Sequence, residues 1–160
     1  LKFSRPRMPS FETMDPTAPL EQALAVVMAG HMGIHVVRRY GHEAARVRAD
    51  RELLRQIWLN LLTNAMAAMG PNSGHIVLES EHRDGHVRLS IEDSGGGIAP
   101  DVLPRVFEPF FTTKPEGTGL GLYIAHALAE ANGGTLEARS GQGSGAVFVL
   151  SFPVVEEPTP

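Results

Sequence analysis

Cysteine is absent from this chain, which excludes disulfides, thiolate metal sites and a catalytic thiol. That usage fits the cytosol. No apolar run approaches the ~20 residues that a membrane span needs, and no signal-peptide pattern opens the sequence. Basic residues are not in excess either: 14 lysines and arginines stand against 18 acidic residues, for a net charge of -4. Nucleic acid is therefore not an expected partner. What is present suits one globular domain, with 42% hydrophobic residues in a chain of 160, enough for a good core and short for two. The chain starts at Leu1 rather than methionine, and residues 156–160 are polar and proline-containing, so both ends read as cuts in a longer protein.

Residues 1–16 carry three prolines and little periodicity, and read as an incoming linker. Leu20, Leu24, Val27 and Met28 recur at helical spacing, with Gly33 as the stop. Residues 34–40 are β-prone, Gly41 and His42 suit a turn, and 44–48 read as the returning strand. Asp50 is a good N-cap for a helix over 51–69, whose buried stripe is Leu53, Leu54, Ile57, Trp58, Leu61, Leu62, Ala65 and Met69. Residues 76–81 and 87–92 alternate apolar and polar around Asp84-Gly85, a hairpin with one wet face. A short helix is expected over 100–106, an exposed loop over 108–117 and a helix over 120–131 that Gly133-Gly134 ends. A second hairpin, 135–139 with 146–152, closes the chain. No repeat and no internal boundary interrupts this order. It implies an α+β two-layer sandwich, a mixed and mainly antiparallel sheet covered on one face by helices.

Asn60 and Asn64 interrupt the apolar helix, four residues apart. Asparagine is a poor helix-interior residue because its amide competes for backbone hydrogen bonds. Positions i and i+4 lie about 40° apart, so both amides face one way. Amide oxygen is a hard neutral ligand suited to Mg²⁺ beside substrate phosphates; taken alone, the pair equally suits a solvated flank. Asp93 ends a strand and enters Ser94-Gly95-Gly96-Gly97. A carboxylate held there accepts a hydrogen bond from the adenine amino group and repels the guanine carbonyl, although an Asp-Ser-Gly turn can simply end a strand. Gly117-Thr118-Gly119-Leu120-Gly121-Leu122 leads straight into a helix, whose free N–H groups attract anions. It is no P-loop, for no G-x-x-x-x-G-K-[ST] occurs, and no strand precedes it as a dinucleotide fingerprint requires. Before it, Phe107-Glu108-Pro109-Phe110-Phe111-Thr112-Thr113-Lys114 sets aromatics beside a lysine in a loop that could act as a lid.

These segments resemble, in order, the N, G1, F and G2 boxes of two-component sensor histidine kinases: 60–65, 93–98, 107–114 and 117–122. The likeness covers about residues 17–153 and is similar to the catalytic ATP-binding domain of the GHKL superfamily, with a lid wording closest to the nitrogen-regulatory type. It implies ATP and Mg²⁺ as ligands. Asn64 would hold Mg²⁺ and Asn60 the same metal–phosphate cluster, with Asn60 and Lys114 in catalytic roles. Asp93 would bind adenine, with Gly95 and Gly97 beneath the base and Ile98 a further nucleotide-binding residue. Phe110, Thr113 and Lys114 would contact nucleotide from the lid, and Gly117, Thr118, Gly119, Leu120, Gly121 and Leu122 would form the hinge and phosphate cradle.

Two departures stand out. The family often has threonine just before the last strand, where its hydroxyl holds water at the adenine; here that position is Ala146, with Ser144 nearby. There is also no phosphoacceptor box. His42-Glu43 has its first two letters, but Ala44-Ala45-Arg46-Val47 lacks the rest, and His42 sits at a turn. The resemblance therefore implies an acceptor histidine on an upstream helical dimerisation domain, from which residues 1–16 lead to a catalytic domain over 17–153 and a tail over 154–160. His31, His35, His75, His82, His86 and His126 read as structural or surface residues. The expected partners are that upstream domain and a response-regulator receiver domain, with the isolated domain monomeric, the full-length protein a homodimer and the domain cytoplasmic. Two other readings stay open: a GHKL ATPase, in which a glutamate typically stands at position 60, and a regulatory module that binds nucleotide without transfer.

Overall fold

The computed structural model describes residues 8–70, 73–113, 117–140 and 145–156. Its strands are β1 (Glu12–Met14), β2 (Ile34–Gly41), β3 (Val47–Ala49), β4 (Gly74–Arg83), β5 (His86–Asp93), β6 (Thr135–Ser140) and β7 (Ala146–Pro153); its helices are α1 (Thr17–Met28), α2 (Arg51–Met69) and α3 (Gly121–Ala131). Five strands form one sheet in the order β2-β4-β5-β7-β6, and β1 pairs with β3 in a separate ribbon. Only β2 and β4 run parallel within the large sheet; the other neighbours are antiparallel. This is the α+β sandwich that the periodicities imply.

Alternation decides the layers. Ile76, Leu78, Val87, Leu89, Ile91, Leu150 and Phe152 are buried against the helices, while Glu79, Glu81 and Arg88 point to water. Helix α2 lies at the centre of the helical layer, touching both α1 and α3. Leu54, Ile57, Trp58, Leu61, Leu62 and Ala65 are its buried stripe; Leu53 and Met69, at its ends, are half-buried. Asp50 caps it, accepting from the Glu52 and Leu53 amides at 2.9 and 3.2 Å. In the hairpin turn between β4 and β5, Asp84 and Gly85 both have positive φ, 54° and 74°, as a two-residue Asp-Gly loop demands.

The structure corrects several boundaries. β3 does not return along β2. It pairs antiparallel with β1, Met14 opposite Val47, because β4 already occupies the inner flank of β2 and Glu43, at φ 55°, turns the chain away. Residues 12–14, read as part of a linker, thus form a paired strand that buries Met14 and Val47. Helix α1 stops before Gly30, at φ 81°, rather than at Gly33. The helix expected over 100–106 is only a 3₁₀ turn at Leu103–Arg105. Among the described residues no helix is long and apolar enough to cross a membrane.

His42 is the one buried histidine among those described, and it is spoken for on both sides. Its Nδ1 lies 2.5 Å from the Ser80 hydroxyl and its Nε2 3.0 Å from Asp15 Oδ1. This wire ties the start of α1 to the sheet. Burial pushes the Asp15 carboxyl up, but hydrogen bonds from the Thr17 amide and hydroxyl and from His42 outweigh it and leave the group below its ordinary value. His126 stacks on Phe107 at 4.8 Å, and the remaining histidines are exposed.

Candidate functional site

A cleft of about 570 Å³ opens between α2, the end of β5, the loop before α3 and the start of α3. That volume lies within the range of small-ligand sites. Its walls bring together Asn60, Asn64, Asp93, Gly97, Ile98, Thr113, Gly117, Thr118, Gly119, Gly121 and Leu122, eleven of the residues singled out from sequence. Gly95, Phe110 and Leu120 are not on the wall, and Lys114 lies outside the described residues.

Asp93 is 2% exposed at the end of β5. Its Oδ1 accepts from the Gly95 amide at 2.8 Å and the Ala146 amide at 3.3 Å, and its carbonyl accepts from the Gly145 amide at 2.9 Å. The carboxylate is thereby fixed by backbone donors on two segments. Gly145 passes so close that a Cβ there would lie 2.5 Å from the Asp93 carbonyl oxygen and 2.7 Å from the Gly95 nitrogen. Gly95 serves packing: a Cβ on it would meet Ala68 of α2 at 2.8 to 2.9 Å. Ala146 lines the cleft, as its alignment with the family's threonine implies, while Ser144 lies outside the described residues.

The rest of this end is apolar. Phe148, 2% exposed, lines the cleft and meets Phe107 edge-on at 6.3 Å. Phe111, one of the lid aromatics, and Val102 and Val106 from the 3₁₀ region, which the sequence did not single out as site residues, complete an apolar slot. Phe110 is instead 74% exposed. Its φ of 66° turns it outward, whereas Phe111 faces the cleft with the Arg105 guanidinium 4.3 Å from its ring centre. The Phe110 amide donates to the Gly119 carbonyl at 2.9 Å, and a Cβ on Gly119 would meet Phe110 backbone at 2.7 Å. Gly119, at φ 73°, is therefore needed for both conformation and contact.

At the opposite end α2 presents Asn60 and Asn64. Asn60 Nδ2 donates to the Gly121 carbonyl at 3.2 Å, joining α2 to the start of α3. The first helical bond of α3 runs from the Ile124 amide to the Leu120 carbonyl, and among the described residues no side chain caps this end. The amides of residues 121–123 thus precede the internal ladder and give the end a partial positive charge. Asp93 is the only charged residue among the described walls. Among the described residues an anion at the α3 end would meet amides and no side-chain cation, so a polyphosphate there suits a counter-ion. The amide oxygens of Asn60 and Asn64 are donors of the kind a hard cation shares with phosphate and water, so the residues fit Mg²⁺.

Residues 49–156 match the family described as Histidine kinase-, DNA gyrase B-, and HSP90-like ATPase. The signal transduction histidine-protein kinase AtoS of Escherichia coli is 35% identical over 156 residues, covering 96% of this chain and 26% of that protein. The sensor histidine kinase ZraS of Escherichia coli is 46% identical over 108 residues, 68% of this chain and 23% of that protein. The chain thus spans about a quarter of the length of these relatives. Among solved structures, the mycobacterial sensor histidine kinase MprB superposes with a TM-score of 0.80 at 29% identity, covering 91% of this chain and 98% of that one. The catalytic domain of histidine kinase ThkA gives 0.80 at 32% identity, over 90% and 95%. The chain belongs to the histidine kinase-, DNA gyrase B- and HSP90-like ATPase family, and within it to the catalytic domains of sensor histidine kinases.

Proposed function

We propose that the cleft binds ATP with Mg²⁺ and that the domain delivers the γ-phosphoryl group to a histidine on a separate helical dimerisation domain, as one step of two-component signalling. The observation that carries this reading is the convergence, on one cleft, of a backbone-locked carboxylate, two amides on one helix face and an uncapped helix N-terminus. Asp93 accepts the adenine amino group, with the apolar slot around Phe148 enclosing the base. The first amides of α3 hold phosphate oxygens. Asn64 and Asn60 would hold Mg²⁺, which when bound neutralises phosphate charge. Lys114 is a further phosphate contact.

Phosphoryl transfer depends on positioning and charge neutralisation more than on a protein nucleophile. The acceptor imidazole attacks the γ-phosphorus, the bond to the β-phosphate oxygen breaks, and ADP leaves. Asn60 favours transfer over hydrolysis for a structural reason. Its Nδ2 donates to the Gly121 carbonyl, a bond a carboxylate could not make, and an amide cannot take a proton from water. Two related structures support the ligand and the partner: ShkA was solved with AMPPNP, and ThkA with the response regulator protein TrrA. We place the domain in the cytoplasm, where ATP is, as a monomer alone and as part of a homodimer in the parent protein.

The test is to mix the domain with the histidine-bearing domain of its parent protein and γ-labelled ATP. Acid-labile label on the histidine is the expected result. Release of labelled phosphate to water would identify an ATPase, and tight ATP binding without either would identify a regulatory module.

A further inference from the structure

Helix α3 carries the amides assigned to phosphate and packs on α2 and β6, with Leu122 and Leu128 partly buried against the core. Its only fully buried residues are Ala125 and Ala129. The small side chains at its centre let α3 approach α2 closely, and beside the packing of Leu122 and Leu128 two polar ties stand at its ends. At the site end, the Asn60 amide reaches Gly121 at 3.2 Å in an exposed position. At the far end, Asn132 is 3% exposed, and its Oδ1 accepts from the Asp50 amide at 2.7 Å while its Nδ2 donates to the Leu128 carbonyl at 2.9 Å. Asp50, 1% exposed, is itself the N-cap of α2. The C-cap of α3 thus clasps the N-cap of α2, across 82 residues of chain.

We propose that Asn132 is a positioning residue for the phosphate end of the site, acting through the tilt of α3; this rests on the nucleotide reading above. The clasp is shorter and drier than the tie at Asn60, so it governs the angle of the helix. An eleven-residue helix is about 16 Å long. Pivoting it by about 5° at Asn132 moves its first amides by roughly 1.4 Å, and a misplacement of about 1 Å at a reacting group can cost on the order of 100-fold in rate. Asp93 stands on β5, outside this lever, so recognition of the base is untouched.

The test compares Asn132→Leu, which keeps the branching at Cγ but neither hydrogen bond, with a variant of similar thermal stability far from α3, Leu24→Ala. Dissociation constants are measured for Mg²⁺·ATP and for adenosine. Asn132→Leu should weaken Mg²⁺·ATP by roughly 10-fold or more while leaving adenosine within about 2-fold; Leu24→Ala should leave the ratio of the two constants unchanged. Should Asn132→Leu not fold, Asn132→Ser, whose oxygen is too short to reach Asp50, takes its place with the same expectation. An unchanged ratio, or equal weakening of both ligands, overturns the inference. A wild-type domain that binds neither ligand overturns the nucleotide reading, and the inference with it.

Discussion

Replacing Asp93 separates the backbone-locking role of its carboxylate from its proposed contact with adenine. One oxygen already accepts the Gly95 and Ala146 amides at 2.8 and 3.3 Å, and the proposed adenine contact is made in addition. Asp93→Ala removes both functions. It leaves two amides near the 2%-exposed site without their acceptor, at about 1–3 kcal/mol each, a serious share of the roughly 5–15 kcal/mol that holds a domain folded. Asp93→Asn is the sharper perturbation. Its amide oxygen can still serve the two backbone donors, while its NH₂ faces the adenine amino group with a second donor. A hydrogen bond to a charged group contributes about 1.5–3 kcal/mol, so Asp93→Asn should weaken ATP by roughly 10- to 100-fold, at 1.4 kcal/mol per tenfold. Asp93→Ala should lose as much affinity and also melt several degrees lower. Calorimetric titration with ATP and GTP, beside a thermal melt, reads both effects. The donor swap also predicts that Asp93→Asn narrows the preference for ATP over GTP. Full ATP affinity in Asp93→Asn would refute the assignment of the base, and equal melting of wild type and Asp93→Ala would refute the backbone-locking role.

Asn64→Ala should remove the Mg²⁺-dependent part of ATP binding and spare the metal-free part; equal losses in titrations with and without Mg²⁺ would count against it. Gly145→Ala must displace backbone atoms 2.5 and 2.7 Å from the new Cβ. It should lower stability by about 1–3 kcal/mol and weaken adenosine as Asp93 is pushed off its donors, both readable by melting and titration. Asp15→Asn tests the buried wire at His42. Because the folded carboxyl is held below its ordinary value, the stability it contributes is present above the unfolded pKa near 3.9 and lost as pH falls through the folded value. The variant should therefore be less stable than wild type at pH 7 and converge with it in melts taken well below pH 4. A gap that persists in acid would assign the effect to packing.

The motifs were legible because each is local. An Asn pair at helical spacing, a carboxylate before glycines and glycines before a helix all declare themselves within a few residues. What escaped was set by distant chain. Gly145 lies between the strands of the closing hairpin, and nothing near it in sequence reveals how closely it approaches Asp93. The β1–β3 ribbon joins residues near 13 to residues near 48, and three-residue strands have no period of their own to read. Phe110 and Phe111 are indistinguishable by type; only the positive φ at Phe110 decides which ring enters the cleft. Val102 and Val106 were expected on a short helix, and a 3₁₀ turn brings them to the wall instead.

The single parallel pairing of the sheet has a kinetic meaning. β2 meets β4 with Ile34 opposite Gly74, and α2 lies on the connection between them. The helix bearing Asn60 and Asn64 is thus a crossover, enclosed by strands that can pair only after a long loop has closed. The hairpins β4–β5 and β6–β7 need no such closure. A chain with both hairpins formed but β2 unpaired would already hold Asp93 in its strand and still lack the amide rim. On the proposed nucleotide reading, binding of a triphosphate would therefore report that this crossover has closed.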